Sequence, residues 1–211
     1  VRELLPGQCA EFDANTGHLS LRRYWYLTDH EHPDDFTATV RRLRELLLDA
    51  IHRQLVADVP VASLLSGGLD SGILASVADA AFAEAGKTLH TFSVGYKDNK
   101  RYFHATKFQP GADAPFIRLM NENLQATHHW VTLDTPQLVQ ALYRAVDARD
   151  LPGMADVDAS LLEFCRCIKP HATVALSGEC ADEIFGGYPW YRDPAVREKY
   201  GFPWAQSTAY R

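Results

Sequence analysis

At 211 residues, 46% of them hydrophobic and 23% charged, the chain suits one domain with a substantial core, or one domain plus a fragment. A formal net charge of −6 and the lack of any long basic run argue against a nucleic-acid-binding surface. The longest apolar runs, such as residues 59–65, are far too short to span a membrane.

No signal-peptide pattern opens the chain, because Arg2 and Glu3 are followed only by Leu4, Leu5 and Pro6. Residues 1–7 and 19–25 read as two strands, with Asn15-Thr16-Gly17 fitting the turn. Pro33-Asp34-Asp35 supplies helix-start signals, and Phe36, Val40, Leu43, Leu47, Ala50 and Ile51 give an amphipathic helix. Alternating units follow. Strand 59–65 leads to helix 70–84, and strand 89–95 leads to a long polar loop at 96–112. Helix 113–124, strand 129–133 and helix 135–147 come next. A loop at 149–156 precedes helix 157–168, and strand 172–177 precedes helix 181–185. Strands alternating with helices predict an α/β fold, a parallel sheet in a three-layer αβα arrangement. Ligands of such sheets bind outside the carboxyl ends of the strands.

Two chemistry-bearing segments fall at such ends. Ser66-Gly67-Gly68-Leu69-Asp70-Ser71 follows an apolar strand and opens a helix. Paired glycines let backbone approach a ligand closely, and the helix start offers free N–H groups and a positive dipole end, which suits phosphate. Asp70 is out of place beside an anion unless a cation intervenes, and it can equally cap the helix. Gly86-Lys87-Thr88 is a false Walker motif, since residue 81 is Ala where the first Gly belongs. The second segment, Ser177-Gly178-Glu179-Cys180-Ala181-Asp182-Glu183, again ends a strand and begins an acidic helical turn. The four cysteines, Cys9, Cys165, Cys167 and Cys180, form no C-x-x-C. Cys165 and Cys167 would point to different faces of one helix, so a zinc site is not expected and a cytosolic set of reduced thiols is. His128 and His129 could suggest a metal, but adjacent residues of a predicted strand face opposite ways and cannot chelate from one face, so together they read as a structural or surface pair.

The first segment resembles the pyrophosphate loop of the ATP pyrophosphatase family, whose members include asparagine, GMP, NAD and argininosuccinate synthetases. Val174 to Tyr188 closely resembles the S-G-E-G-[AS]-D-E-x-F-G-G-Y signature of glutamine-dependent asparagine synthetases and their β-lactam synthetase relatives. The resemblance implies an adenine nucleotide alpha hydrolase-like domain. It implies ATP-dependent conversion of aspartate and ammonia to asparagine through β-aspartyl-AMP, with release of AMP and pyrophosphate. Ser66, Gly67, Gly68, Asp70 and Ser71 would cradle pyrophosphate, and Asp70 and Asp182 would bind Mg²⁺. Glu179 would lie by the adenylate and assist the attack of ammonia. Leu64, Leu65 and Val94 would line the adenosine side, where core packing is an equal reading for Leu64 and Val94. Ser177 and Gly178 would contact the nucleotide.

By the same resemblance, residues 1–28 are the tail of a glutaminase domain that supplies ammonia. Residues 29–211 are a synthetase domain cut short at its C-terminal end. A cytoplasmic setting is expected, and a homodimer is compatible with the resemblance. Departures are visible. Cys180 stands where relatives carry glycine, and the 96–112 loop is longer than usual, as for a lid or a disordered loop. Asp158 replaces an arginine common before Ala159-Ser160. It joins Asp147, Asp150 and Asp156 in an acidic segment that would repel a dicarboxylate. Cys9 does not match the N-terminal glutaminase nucleophile, and the pyrophosphate lysine of relatives would fall beyond Arg211. Adenylation of another carboxylate, as in β-lactam synthetases, and an inactive nucleotide-binding module are the alternative readings.

Overall fold

In the computed structural model, residues 3–105, 111–191 and 194 are described. The chain forms two compact units, Val1–Leu43 and Arg44–Arg211. No helix among the described residues is long and apolar enough to cross a membrane.

The first unit holds an antiparallel hairpin of β1 (Gln8–Asp13) and β2 (His18–Arg23), with Phe12 opposite Leu19 and Ala10 opposite Leu21. Asp13 sets its turn, accepting hydrogen bonds from the backbone N–H of Asn15 (2.8 Å) and the Thr16 hydroxyl (2.8 Å). The first strand begins after Gly7, not at residues 1–7 as the apolar Leu4-Leu5 pair suggested. Gly7 has φ +73°, and its carbonyl accepts from Tyr24 N–H at 2.8 Å, so Pro6-Gly7 forms a bend. A Cβ at Gly7 would run into the Trp25 carbonyl. Every residue of β2 is exposed, so burial does not enforce the alternation that usually marks a strand. Helix α1 (Phe36–Gln54) starts after Asp35, whose side chain accepts from Ala38 N–H at 2.8 Å.

The second unit alternates strand and helix as expected. In order come β3 (Val61–Leu64), α2 (Leu69–Glu84), β4 (His90–Tyr96), α3 (Asn99–Tyr102), α4 (Ala114–Asn123), β5 (Thr127–Leu133), α5 (Thr135–Arg149), α6 (Ala155–Ile168), β6 (Val174–Leu176) and α7 (Ala181–Phe185). The four strands are parallel in the order β5-β4-β3-β6. Alternate side chains of β3 and β4 face opposite layers. Ala62 and Phe92 pack with Phe164, Ile168 and Ala172 of α6 and the turn after it. Leu65 packs on the other face with Ala75 of α2 and Ile117 of α4. Helix α5 lies on α6 through Ala141, Ala145 and Ala159, whose small side chains permit close approach. A capping box between Asp134 and Gln137, with Pro136 in the first turn, starts α5. The predicted 96–112 loop contains the single-turn helix α3, and its residues 106–110 lie outside the described residues.

This strand order dictates where a ligand can sit. The chain steps from β3 to β4 to β5 in one direction, then returns to place β6 on the other side of β3. The connections diverge at the carboxyl ends of β3 and β6, which opens a crevice there.

Candidate active site

Both motifs border that crevice. After β3, Leu65 N–H still donates to the Phe92 carbonyl (2.8 Å), and the Ser93 hydroxyl donates to the Leu65 carbonyl, so the chain leaves the sheet only at Ser66. The loop is then closed by its own serines. Ser66 Oγ and Ser71 Oγ are hydrogen-bonded at 2.8 Å, and Ser71 Oγ also accepts from Ser66 N–H at 3.1 Å. Gly67 has φ +81°, and a Cβ there would meet Asp113 O and Ile117 N at 3.0 Å, so both turn and packing require glycine. Gly68 caps α2 with no side-chain hydrogen bond to the first turn. No side chain caps the first turn of α2, where a helix leaves N–H groups without intrahelical partners, and Asp70 and Ser71 of that turn line the crevice.

On the second loop, Glu179 N–H donates to Ser177 Oγ at 3.2 Å. Cys180 then adopts φ +70°, a left-handed conformation that favours glycine, and α7 starts directly after it. The residue that stands where relatives carry glycine thus sits in the backbone region that favours glycine. The two loops touch through Gly178, where a Cβ would lie 2.9 Å from Ser71 N and 3.1 Å from Asp70 C. Below α7, the Tyr188 hydroxyl donates to Glu183 at 3.0 Å. That bond, with burial and the charges of Glu183, Asp182 and Glu179, pushes the Tyr188 phenol up to about 12.

A cavity of about 400 Å³ opens between the loops, a size typical of small-molecule sites. Leu64, Leu65, Ser66, Asp70, Ser71, Val94, Ser177, Gly178, Glu179 and Asp182 all line it. Gly67 and Gly68 shape the loop without lining the cavity. Phe92, Ser93, Asp113, Ile117 and Phe164 line it as well and were not read from sequence. Phe92 lies two residues before Val94 on the same strand face and was within reach of a periodicity argument. Ile117 and Phe164 read as core, and Asp113 follows a long loop that conceals its position. Asp147, Asp150, Asp156 and Asp158 are not among the lining residues, and Arg149 Nη1 holds Asp158 Oδ1 at 2.6 Å.

The cavity is chemically two-sided. Leu64, Leu65, Phe92, Val94, Ile117 and Phe164 give an apolar part. Asp70, Asp113, Glu179 and Asp182 give an acidic part, and no Lys or Arg is among the described lining residues. Such a site accepts an anion only with a cation beside it, and hard carboxylate oxygens suit Mg²⁺.

The family model for asparagine synthase matches residues 42–211. Over its full length the chain is 48% identical to glutamine-hydrolyzing asparagine synthetase 3 of Bacillus subtilis (strain 168), covering 34% of that protein. It is 36% identical to asparagine synthetase 1 of the same organism over 92% of this chain and 28% of that protein. The glutamine-dependent NAD⁺ synthetase of Acinetobacter baumannii, solved with ADP, aligns with a TM-score of 0.41 and 15% identity, over 84% of this chain and 31% of that one. The chain spans about a third of the length of the asparagine synthetases it matches. With the family model matched along residues 42–211, this chain belongs to the asparagine synthase family.

Proposed function

We propose that this chain is the ATP-using part of a glutamine-hydrolysing asparagine synthetase. The observation that carries the reading is the convergence of both signature loops, in contact through Gly178, on one cavity with an apolar part and an acidic part. The apolar part, formed by Leu64, Leu65, Val94, Phe92 and Phe164, receives adenosine. The first-turn N–H groups of α2 and the hydroxyls of Ser66 and Ser71 bind the β- and γ-phosphates. Asp70 and Asp182 would hold Mg²⁺, which supplies charge neutralisation as pyrophosphate departs.

The β-carboxylate of aspartate attacks the α-phosphorus, and the bond from that phosphorus to the pyrophosphate oxygen breaks. Ammonia then attacks the acyl carbon of β-aspartyl-AMP, and AMP leaves with the former carboxylate oxygen. The nitrogen must lose a proton in that step, and Glu179 at the cavity wall is the acceptor.

Residues 1–28 read as the tail of the ammonia-supplying glutaminase domain, with the synthetase domain from residue 29. Ala10, Phe12, Leu19 and Leu21 share one face of the hairpin, and Phe12, Leu19 and Leu21 are exposed, which supports a partner for that face. All four cysteines are free, which supports a reducing, cytoplasmic setting.

The test is product analysis from Mg·ATP with ammonium. Aspartate-dependent AMP and asparagine are expected. AMP formed with another carboxylate and not with aspartate would replace the substrate assignment. Nucleotide binding with no turnover, even in a chain extended at both ends, would leave a binding module.

A further inference from the structure

A second cluster lies toward the amino-terminal side of the sheet, and none of its three residues lines the nucleotide cavity. His90 opens β4, His129 lies in β5, and His171 occupies the turn between α6 and β6. One ring nitrogen from each lies within 4.8 Å of the other two. His90 Nδ1 and His129 Nε2 aim at each other at 2.8 Å. The His129 and His171 ring centres are 4.3 Å apart, and those of His90 and His171 are 5.4 Å apart. Three imidazole nitrogens thus converge on one point from three separate elements.

We propose that His90, His129 and His171 form a binding site for a divalent transition cation of the zinc type, separate from the nucleotide cavity. Imidazole selects such ions, whereas Mg²⁺ prefers oxygen ligands. Zinc–nitrogen bonds of about 2.0–2.1 Å in a tetrahedron place the ligand nitrogens roughly 3.4 Å apart. The metal-free cluster brackets that spacing, from 2.8 Å for the hydrogen-bonded pair to the 4.8 Å outer limit. In the free state a single proton bridges His90 and His129. When the cation binds, the donor ring carries that proton on its other nitrogen instead, both facing nitrogens become ligands, and the pair opens by about 0.6 Å.

The surroundings support the geometry. Phe92 stacks on His129 with ring centres 4.5 Å apart and planes 11° apart, which fixes the ring and gives it an apolar flank. Burial and the neighbouring His171 and His90 hold His129 below the ordinary imidazole pKa, which keeps it in the neutral, ligating form. His171 N–H donates to the Ile168 carbonyl at 2.8 Å, so its backbone is anchored while its side chain is open to solvent. Three histidines leave a fourth position for water. Bound, the ion would clip together β4, β5 and the α6–β6 turn.

The test is zinc titration of the tag-free chain by calorimetry, with millimolar Mg²⁺ present to occupy the carboxylates of the nucleotide cavity. Co²⁺ serves as the spectroscopic probe. We expect saturable binding near one Zn²⁺ per chain at micromolar affinity or better, the intense visible bands of four-coordinate Co²⁺, and a zinc-dependent rise in Tm. His171→Gln replaces an exposed ring and leaves the core intact. It should weaken Zn²⁺ at least about tenfold and remove the Tm rise, and His129→Gln should do the same. His52→Gln, on α1, should change neither. Absence of saturable binding, or binding and Co²⁺ bands that persist in both His171→Gln and His129→Gln, would overturn the proposal.

Discussion

Gly178→Ala tests how the two loops hold each other. The added methyl would lie 2.9 Å from Ser71 N and 3.1 Å from Asp70 C and Cβ. The nearest of these is about half an ångström inside ordinary contact, and the opposing atoms are mainly backbone, so a rotamer change cannot relieve it. Forcing one carbon into packed surroundings typically costs about 1–3 kcal/mol. If the fold absorbs the strain, Tm falls by about 2–4 °C per kcal/mol for a chain of this length. If the loops part instead, the loss appears in nucleotide affinity, roughly five- to 150-fold for 1–3 kcal/mol. Thermal unfolding and an ATP titration with Mg²⁺, run on both proteins, read the two channels. Unchanged Tm together with unchanged ATP affinity would refute the described contact between the motifs.

Further outcomes follow from the same geometry. Cys180→Gly relieves a left-handed backbone at φ +70°. Against the entropy that glycine adds to the unfolded chain, a net gain of about 0.5–1 kcal/mol is expected in denaturant unfolding; destabilisation would contradict the strain. Asp70→Asn keeps the side chain's shape and removes the charge assigned to Mg²⁺, so AMP formation should fall by two orders of magnitude or more with Tm nearly unchanged. Retained turnover would remove Asp70 from the metal role. His128 and His129 are both held below the ordinary imidazole value, first by burial and then by neighbouring histidines. The unfolded chain therefore binds more protons as pH drops through about 6.5. Their contribution is complete above that value and is lost as pH falls toward the lowered folded pKa values. Unfolding in EDTA between pH 7.5 and 5 should show stability declining, with a shallower slope in His129→Gln; an equal slope would count against the burial effect.

The sheet was legible because its signals are local. Buried apolar runs mark β3 and β4, the short apolar stretch Val174-Ala175-Leu176 marks β6, and Asp134-x-x-Gln137 marks the start of α5. The hairpin was placed less well, since neither face of β2 is buried and Leu4-Leu5 offered a competing apolar pair. Most of the cavity was legible because each loop carries its own chemistry at a strand end. Asp113 and Phe164 reach the cavity through tertiary packing, which no spacing of residues encodes. The histidine cluster shows the same limit. Adjacency correctly separated His128 from His129, yet the partners of His129 come from another strand and a distant turn. His90 is 39 residues away in sequence.

The most direct measurement is AMP release from Mg·ATP by this chain with ammonium, with and without aspartate. AMP and pyrophosphate are expected in equal amounts, dependent on aspartate and abolished by Asp70→Asn. Cleavage to ADP and phosphate, or AMP formation indifferent to both aspartate and Asp70, would contradict the proposed function.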